Sequence, residues 1–294
     1  MSITSINSVS DDNDLDHKWH SEFPYVYIDG LIGSGKTNIV LALKNHDRYF
    51  KYWFVPEHLY SHFTFEGKIF NPLQIMYNSS SDTDKFVVQH HICRKSFEYY
   101  YDRLHPRYTQ WNDNLKIFEG SLYSILPFIH TYTKHAHLSN FASTYLLSEA
   151  QHNINETRHW KPGLILYLDI SEKLAFERIQ ARKCPDNHFI SLEFLKTLKE
   201  EQMKQIDQLK KKYNVIIITI DENTSFNVIM FKCYNLIRSF YRYCRTKCWL
   251  KSQISSFIDD QNEKKKFLRR YSLPSDNSTK LHKETSLRCN LYEI

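Results

Sequence analysis

Glycine is scarce in this chain: 6 residues in 294. Three of the six, Gly30, Gly33 and Gly35, fall within one stretch of six positions. Glycine admits backbone with positive φ and lets a ligand approach the main chain closely. A chain that gathers half its small supply in one place has a local need there. Long apolar runs are missing too. None approaches the roughly 18 residues of a membrane span, so no membrane partner is expected. Residues 1–16 have neither a basic start nor an apolar stretch, and they are acidic, so neither a secretory signal nor a transit peptide is expected. The six cysteines form no CxxC pair and show no zinc spacing with histidines. In a chain of this length they read as reduced thiols of a cytoplasmic protein, not as a disulfide framework. One-sided charge is also lacking. The formal net charge of +6 is modest and gathers towards the C-terminus. It reads as a solvated surface, and no nucleic-acid partner is expected.

What remains is enough for a sizeable core, with 41% apolar residues. Residues 1–22 are polar and read as a disordered arm. Residues 251–294 carry Lys264–Lys266 and Arg269–Arg270 among Ser, Asn and Thr, and read as a basic, disordered tail. The body is therefore about 23–250. Within it, β-rich runs at 25–29, 52–56, 115–118, 164–169 and 215–220 alternate with helical patterns at 35–45, 84–103, 122–134, 139–158, 172–182, 191–212 and 225–247. Near-continuous apolar runs fit strands buried on both faces. The alternation predicts an α/β fold, a five-stranded parallel sheet with helices on both faces. Its ligand crevice should lie at the carboxyl ends of the strands.

The glycine cluster belongs to Gly30-Leu31-Ile32-Gly33-Ser34-Gly35-Lys36-Thr37, a complete G-x-x-x-x-G-K-[ST]. It follows one expected strand and opens one expected helix, the context this phosphate-binding loop requires. Backbone N–H groups of such a loop wrap phosphate oxygens at the positive end of a helix dipole. Lys36 is expected to reach the β- and γ-phosphates of ATP, and the Thr37 hydroxyl to bind Mg²⁺. Two further strands end in carboxylates. Phe54-Val55-Pro56-Glu57 places Glu57 where it could act as a general base on a bound hydroxyl. Leu115 to Glu119 brings Glu119 to the same crevice, where it could hold Mg²⁺; each carboxylate taken alone also reads as a surface or helix-capping residue.

The order of these motifs resembles the deoxynucleoside kinase family, including the viral thymidine kinases. The similarity runs over about 24–222, from YIDGLIGSGKT through VPE at 55–57, QIMY at 74–77, FVVQ at 86–89 and FEGSLYS at 118–124. It continues through the run from Phe176 to Arg182, which resembles an arginine-containing lid, and the helix after it. The resemblance implies a P-loop kinase that phosphorylates the 5′-hydroxyl of a deoxynucleoside, a pyrimidine such as thymidine, and that works as a homodimer. It implies Glu57 as catalytic base, Lys36 and Arg182 as cations over the transferring group, Thr37 and Glu119 as the metal shell, Tyr77 on the sugar and Gln89 on the base. The chain departs from the pattern at informative places. Gly120 stands where the family has an arginine, and Arg94 is the candidate to replace its charge. Asn187 stands where the family has a carboxylate for the 3′-hydroxyl, and His62 where it has a tryptophan. Two alternatives stay open: a monophosphate kinase of the thymidylate kinase type, and a catalytically weak relative kept as a nucleotide-binding interaction module. Assays on a nucleoside and on its monophosphate, beside a nucleotide-binding titration, discriminate the three.

Overall fold

The computed structural model describes residues 25–46, 53–55, 63–65, 68–70, 72–104, 115–156, 161–182 and 189–246. All of them lie in the larger of the chain's two units, Met1–Ile254. The arm at 1–22 and the tail at 251–294 lie outside the described residues, as do Glu57, His62 and Asn187.

Five strands form one parallel sheet in the order β2-β5-β1-β6-β7. They are β1 (Tyr25–Gly30), β2 (Trp53–Val55), β5 (Lys116–Glu119), β6 (Leu164–Ile170) and β7 (Asn214–Ile220). All five fall where the β-rich runs predict them. The central strands β1 and β5 are buried at every position, and β6 at all but one. That is the burial of a sheet covered on both faces, and it is why these runs carry almost no alternation. The VIIITI run of β7 looks equally apolar, yet most of its residues are only half-buried. It is an edge strand with one neighbour, so its outer side lacks cover.

Helices α1 (Lys36–His46), α3 (Asp82–Leu104), α4 (Ile125–Lys134), α5 (Asn140–Glu156), α6 (Glu172–Ala181), α7 (Leu192–Lys210) and α8 (Phe226–Thr246) occupy the expected helical stretches. A 3₁₀ turn, Leu122–Ser124, precedes α4. Two starts are set by serine caps. Ser171 Oγ accepts from the Leu174 N–H at 3.2 Å, and Ser191 Oγ from the Phe194 N–H at 3.0 Å. These caps satisfy donors that a helix N-terminus leaves open. α1 packs on α8, and α7 packs on both α4 and α6. The sequence patterns do not predict the short helix α2 (Pro72–Asn78) or the antiparallel pair β3 (Phe63–Phe65) and β4 (Lys68–Phe70).

Candidate active site

β1 ends at Gly30 in the middle of the sheet, and α1 begins at Lys36. The loop between them is held from within and from beneath. Ser34 N–H donates to the Leu31 carbonyl at 3.1 Å, and Ile39 N–H to the Gly35 carbonyl at 3.1 Å. Gly33 has φ +86°, and a Cβ there would meet the Ala175 carbonyl oxygen at 2.7 Å. α6 passes so close beneath the loop that no side chain fits at position 33. A Cβ at Gly35 would instead meet nothing within 4 Å among the described residues. Among them the loop's upper side is bordered by main chain alone, which fits an incoming phosphate.

Lys36 Nζ donates to the loop's own carbonyls, Gly30 at 3.0 Å and Leu31 at 3.2 Å. Its ammonium is thus held over the loop that phosphates would enter. Thr37 Oγ1 donates to Glu119 Oε1. This contact joins the first turn of α1 to the end of β5, and Glu119 is buried. A hydroxyl and a carboxylate side by side are hard oxygen donors suited to Mg²⁺, which takes one or two protein oxygens and completes its shell with phosphate and water. Among the described residues no group of three or more His, Cys, Asp and Glu could hold a metal by itself. The sparse pair therefore fits Mg²⁺ carried in with a nucleotide.

The register explains how these residues meet. β1 pairs with β5 so that Ile28 stands beside Glu119, and the Gly120 N–H donates to the Ile28 carbonyl at 2.9 Å. Gly120 has φ +76°, a backbone conformation that an arginine rarely adopts. The position that carries an arginine in the family is thus built here for glycine. β2 pairs with β5 on the other side, with Val55 beside Phe118. Val55 lies two residues before Glu57, and Phe118 one residue before Glu119.

A carboxylate absent from the sequence reading sits under this junction. Asp29 is buried at 6% exposure. Its Oδ1 accepts from the Gly30 N–H at 2.8 Å, and its Oδ2 accepts from Ser121 Oγ at 2.7 Å and from Ser124 Oγ. The signal for it was the acid inside YIDG; the paired serines of EGSLYS complete it.

Gln89 lies on α3, 2% exposed. Its Nε2 donates to Cys93 Sγ at 3.6 Å, while its Oε1 has no hydrogen-bond partner among the described residues. A buried amide oxygen without a donor is costly unless a ligand supplies one. Burial pushes the Cys93 thiol up to about 12, so the sulfur stays protonated and neutral. Arg94 donates through Nε to Glu98 Oε1 at 2.8 Å, and its terminal nitrogens make no hydrogen bond with the described residues. Burial raises the Glu98 carboxyl, but Arg94 and Lys95 outweigh it, and the net shift is downward.

Tyr77 closes α2 within a cluster of rings. It stacks on Phe189 at 5.5 Å and meets His137 at 4.9 Å and Tyr132 at 6.2 Å edge-on. Burial pushes the Tyr132 phenol up to about 12. Arg182 is exposed at the end of α6. The structure thus brings Lys36, Thr37 and Glu119 together. Tyr77 and Gln89 stand on the neighbouring helices α2 and α3, and Arg182 caps the C-terminal end of α6.

Comparisons with known proteins bear on the family and the fold. The sequence profile described as deoxynucleoside kinase matches residues 26–241. No curated protein sequence matches the chain. Among solved structures it is similar to a deoxyadenosine kinase from M. mycoides with bound dCTP. The TM-score is 0.56 and the identity 16%, covering 73% of this chain and 99% of that one. The same enzyme with bound dATP aligns with TM-score 0.54 and 14% identity over the same shares. At such identity the structures speak for the fold, and the profile, which spans most of the chain, speaks for the family. With its phosphate loop, its Thr37–Glu119 pair and its parallel sheet, the chain belongs to the deoxynucleoside kinase family.

Proposed function

We propose that the chain transfers the γ-phosphoryl group of ATP to the 5′-hydroxyl of a deoxynucleoside, with a pyrimidine such as thymidine preferred. The observation that carries the reading is the Thr37–Glu119 contact beside a complete phosphate loop. Two oxygen donors from separate elements meet where a nucleotide's Mg²⁺ would sit. Thr37 and Glu119 would hold Mg²⁺ there, and it would supply charge neutralisation to the nucleotide's phosphates.

The rest of the chemistry falls to the chain's own residues. Glu57 takes the proton of the 5′-hydroxyl as the new oxygen–phosphorus bond forms and ADP leaves. The pairing of Val55 with Phe118 supports this, because it puts the end of β2 beside the end of β5, one residue short of Glu119. Lys36 exchanges its loop carbonyls for phosphate oxygens, and Arg182 approaches from the lid. Gln89 reads the base edge. Its unpartnered Oε1 supports that role, since an amide can pair with an N–H and a carbonyl of a pyrimidine. Tyr77 and Asn187 hold the sugar. Arg94 supplies the charge that Gly120 does not, through terminal nitrogens that no described residue occupies. A cytoplasmic location is part of this proposal. Among the described residues no helix is long and apolar enough to cross a membrane.

Self-association as a homodimer is proposed through the face of α3 and α5. Phe141, Tyr145 and Val87 are 84%, 48% and 50% exposed there, large apolar side chains that a second copy would cover. The test of function is a panel of four deoxynucleosides with ATP and Mg²⁺, read as nucleoside 5′-monophosphate formed. Thymidine should be the best acceptor or among the best. A purine-only profile would overturn the pyrimidine preference.

A further inference from the structure

We infer that Asp29 is a positioning residue for the metal and phosphate end of the site. It holds the β1 exit, which leads to Thr37, against the β5 exit, which carries Glu119. The inference rests on the reading of that site given above.

Up to Ile28 and Glu119 the two strands are tied by their ladder. Past that point they part: one becomes the phosphate loop, the other the turn leading into α4. Asp29 spans the gap. One carboxylate oxygen fixes the first amide of the loop, Gly30 N–H, and the other accepts two hydroxyls from the opposite segment, Ser121 and Ser124. The Ser121 and Ser124 hydroxyls also lie 3.2 Å from each other. Among the described residues the buried carboxylate has these donors and no cation as partners. Hydrogen bonds to an ionised acceptor are the stronger kind and fix geometry accordingly. The contacts close a ring: Asp29 to Ser121, along the chain to Glu119, across to Thr37, and back through the loop to Gly30. Opening the ring at Asp29 leaves the fold's ladder intact but lets Thr37 and Glu119 drift from the spacing a metal needs.

Asp29→Asn keeps the size and removes the charge. An amide has one acceptor oxygen, so either the Gly30 N–H or the serine hydroxyls lose their acceptor. The direct test titrates ADP with and without Mg²⁺ on the folded full chain. Asp29→Asn should weaken MgADP binding roughly 10- to 100-fold, the range for losing charge-assisted hydrogen bonds, and weaken Mg²⁺-free ADP much less. The Mg²⁺ midpoint for turnover should rise, with the nucleoside KM little changed. Ser121→Ala with Ser124→Ala should do the same in milder form. Adding Asp29→Asn to that pair should cost less than the two effects summed. If Asp29→Asn does not fold, the serine pair alone decides by the same readout. Wild-type MgADP affinity in either variant overturns the inference, as does an equal loss with and without Mg²⁺. A wild-type chain that binds no MgADP overturns the phosphate-site reading itself, and this inference with it.

Discussion

Gly120 is where the chain leaves its family's pattern, and its backbone makes the consequence calculable. The residue sits at φ +76° with its N–H bound to the Ile28 carbonyl. Rotating φ to the ordinary region would give up that bond, so a substituted residue must accept the strain. Among the described residues space does not forbid a side chain: a Cβ would meet only the Tyr100 hydroxyl, at 3.7 Å. The cost is therefore conformational, about 1–2 kcal/mol for a non-glycine residue in left-handed backbone. For a domain of this size each kcal/mol lowers Tm by roughly 2–4 °C, so Gly120→Ala should melt about 2–8 °C below wild type. Gly120→Arg should lose at least as much, and it should not raise turnover despite restoring the family's guanidinium. The strain falls on the residue after Glu119, where the metal carboxylate must stay in place. Thermal denaturation and steady-state turnover of both variants check this. A Gly120→Ala protein melting with wild type, or a Gly120→Arg protein faster than wild type, refutes the reasoning.

Other outcomes follow from the same geometry. Glu57→Gln should lower turnover by roughly 10²–10⁴-fold with much weaker effects on substrate binding, as expected for a positioned general base; a loss seen only in KM would make Glu57 a positioning group. Arg94→Ala should reduce turnover roughly 10- to 150-fold if its guanidinium serves the 5′-oxygen; full activity would show that Arg94 only pairs with Glu98. Deleting 251–294 should leave turnover unchanged, and an inactive truncation would contradict that. Lys116, buried at the start of β5, has its pKa lowered by burial to about 7, below the usual lysine value. The unfolded chain therefore binds more protons than the folded one between about pH 7 and the ordinary lysine pKa near 10, and stability from this group rises with pH across that window. Lys116→Met should melt above wild type at pH 7, and the gap should shrink by pH 9; a gap that widens would reverse the sign.

The sheet and the phosphate loop were legible because their causes are local. A strand buried on both faces must be apolar throughout, and a loop that hugs phosphate needs glycine at fixed spacings. The helix capped by Ser171 could likewise be read from a short string. The hairpin of β3 and β4 was missed although FTFEGKIF alternates around Glu66-Gly67; strands of three residues give too few positions for a period to show. α2 escaped for the same reason. Asp29 was hidden more deeply. Its importance comes from serines some ninety residues away, brought to it by strand register. Gly120 read only as a missing arginine, because a positive φ is invisible until the chain is folded. The ring contacts of Tyr77 with His137 and Phe189 were likewise set by tertiary packing.

The central claim is phosphoryl transfer to a nucleoside hydroxyl at this loop. The most direct measurement incubates wild type and Lys36→Ala with ATP, Mg²⁺ and each of four deoxynucleosides, and separates the products. The account predicts a nucleoside 5′-monophosphate and equimolar ADP from wild type, with Lys36→Ala folded and inactive. Binding of ATP without transfer to any acceptor, or undiminished transfer by folded Lys36→Ala, would contradict it.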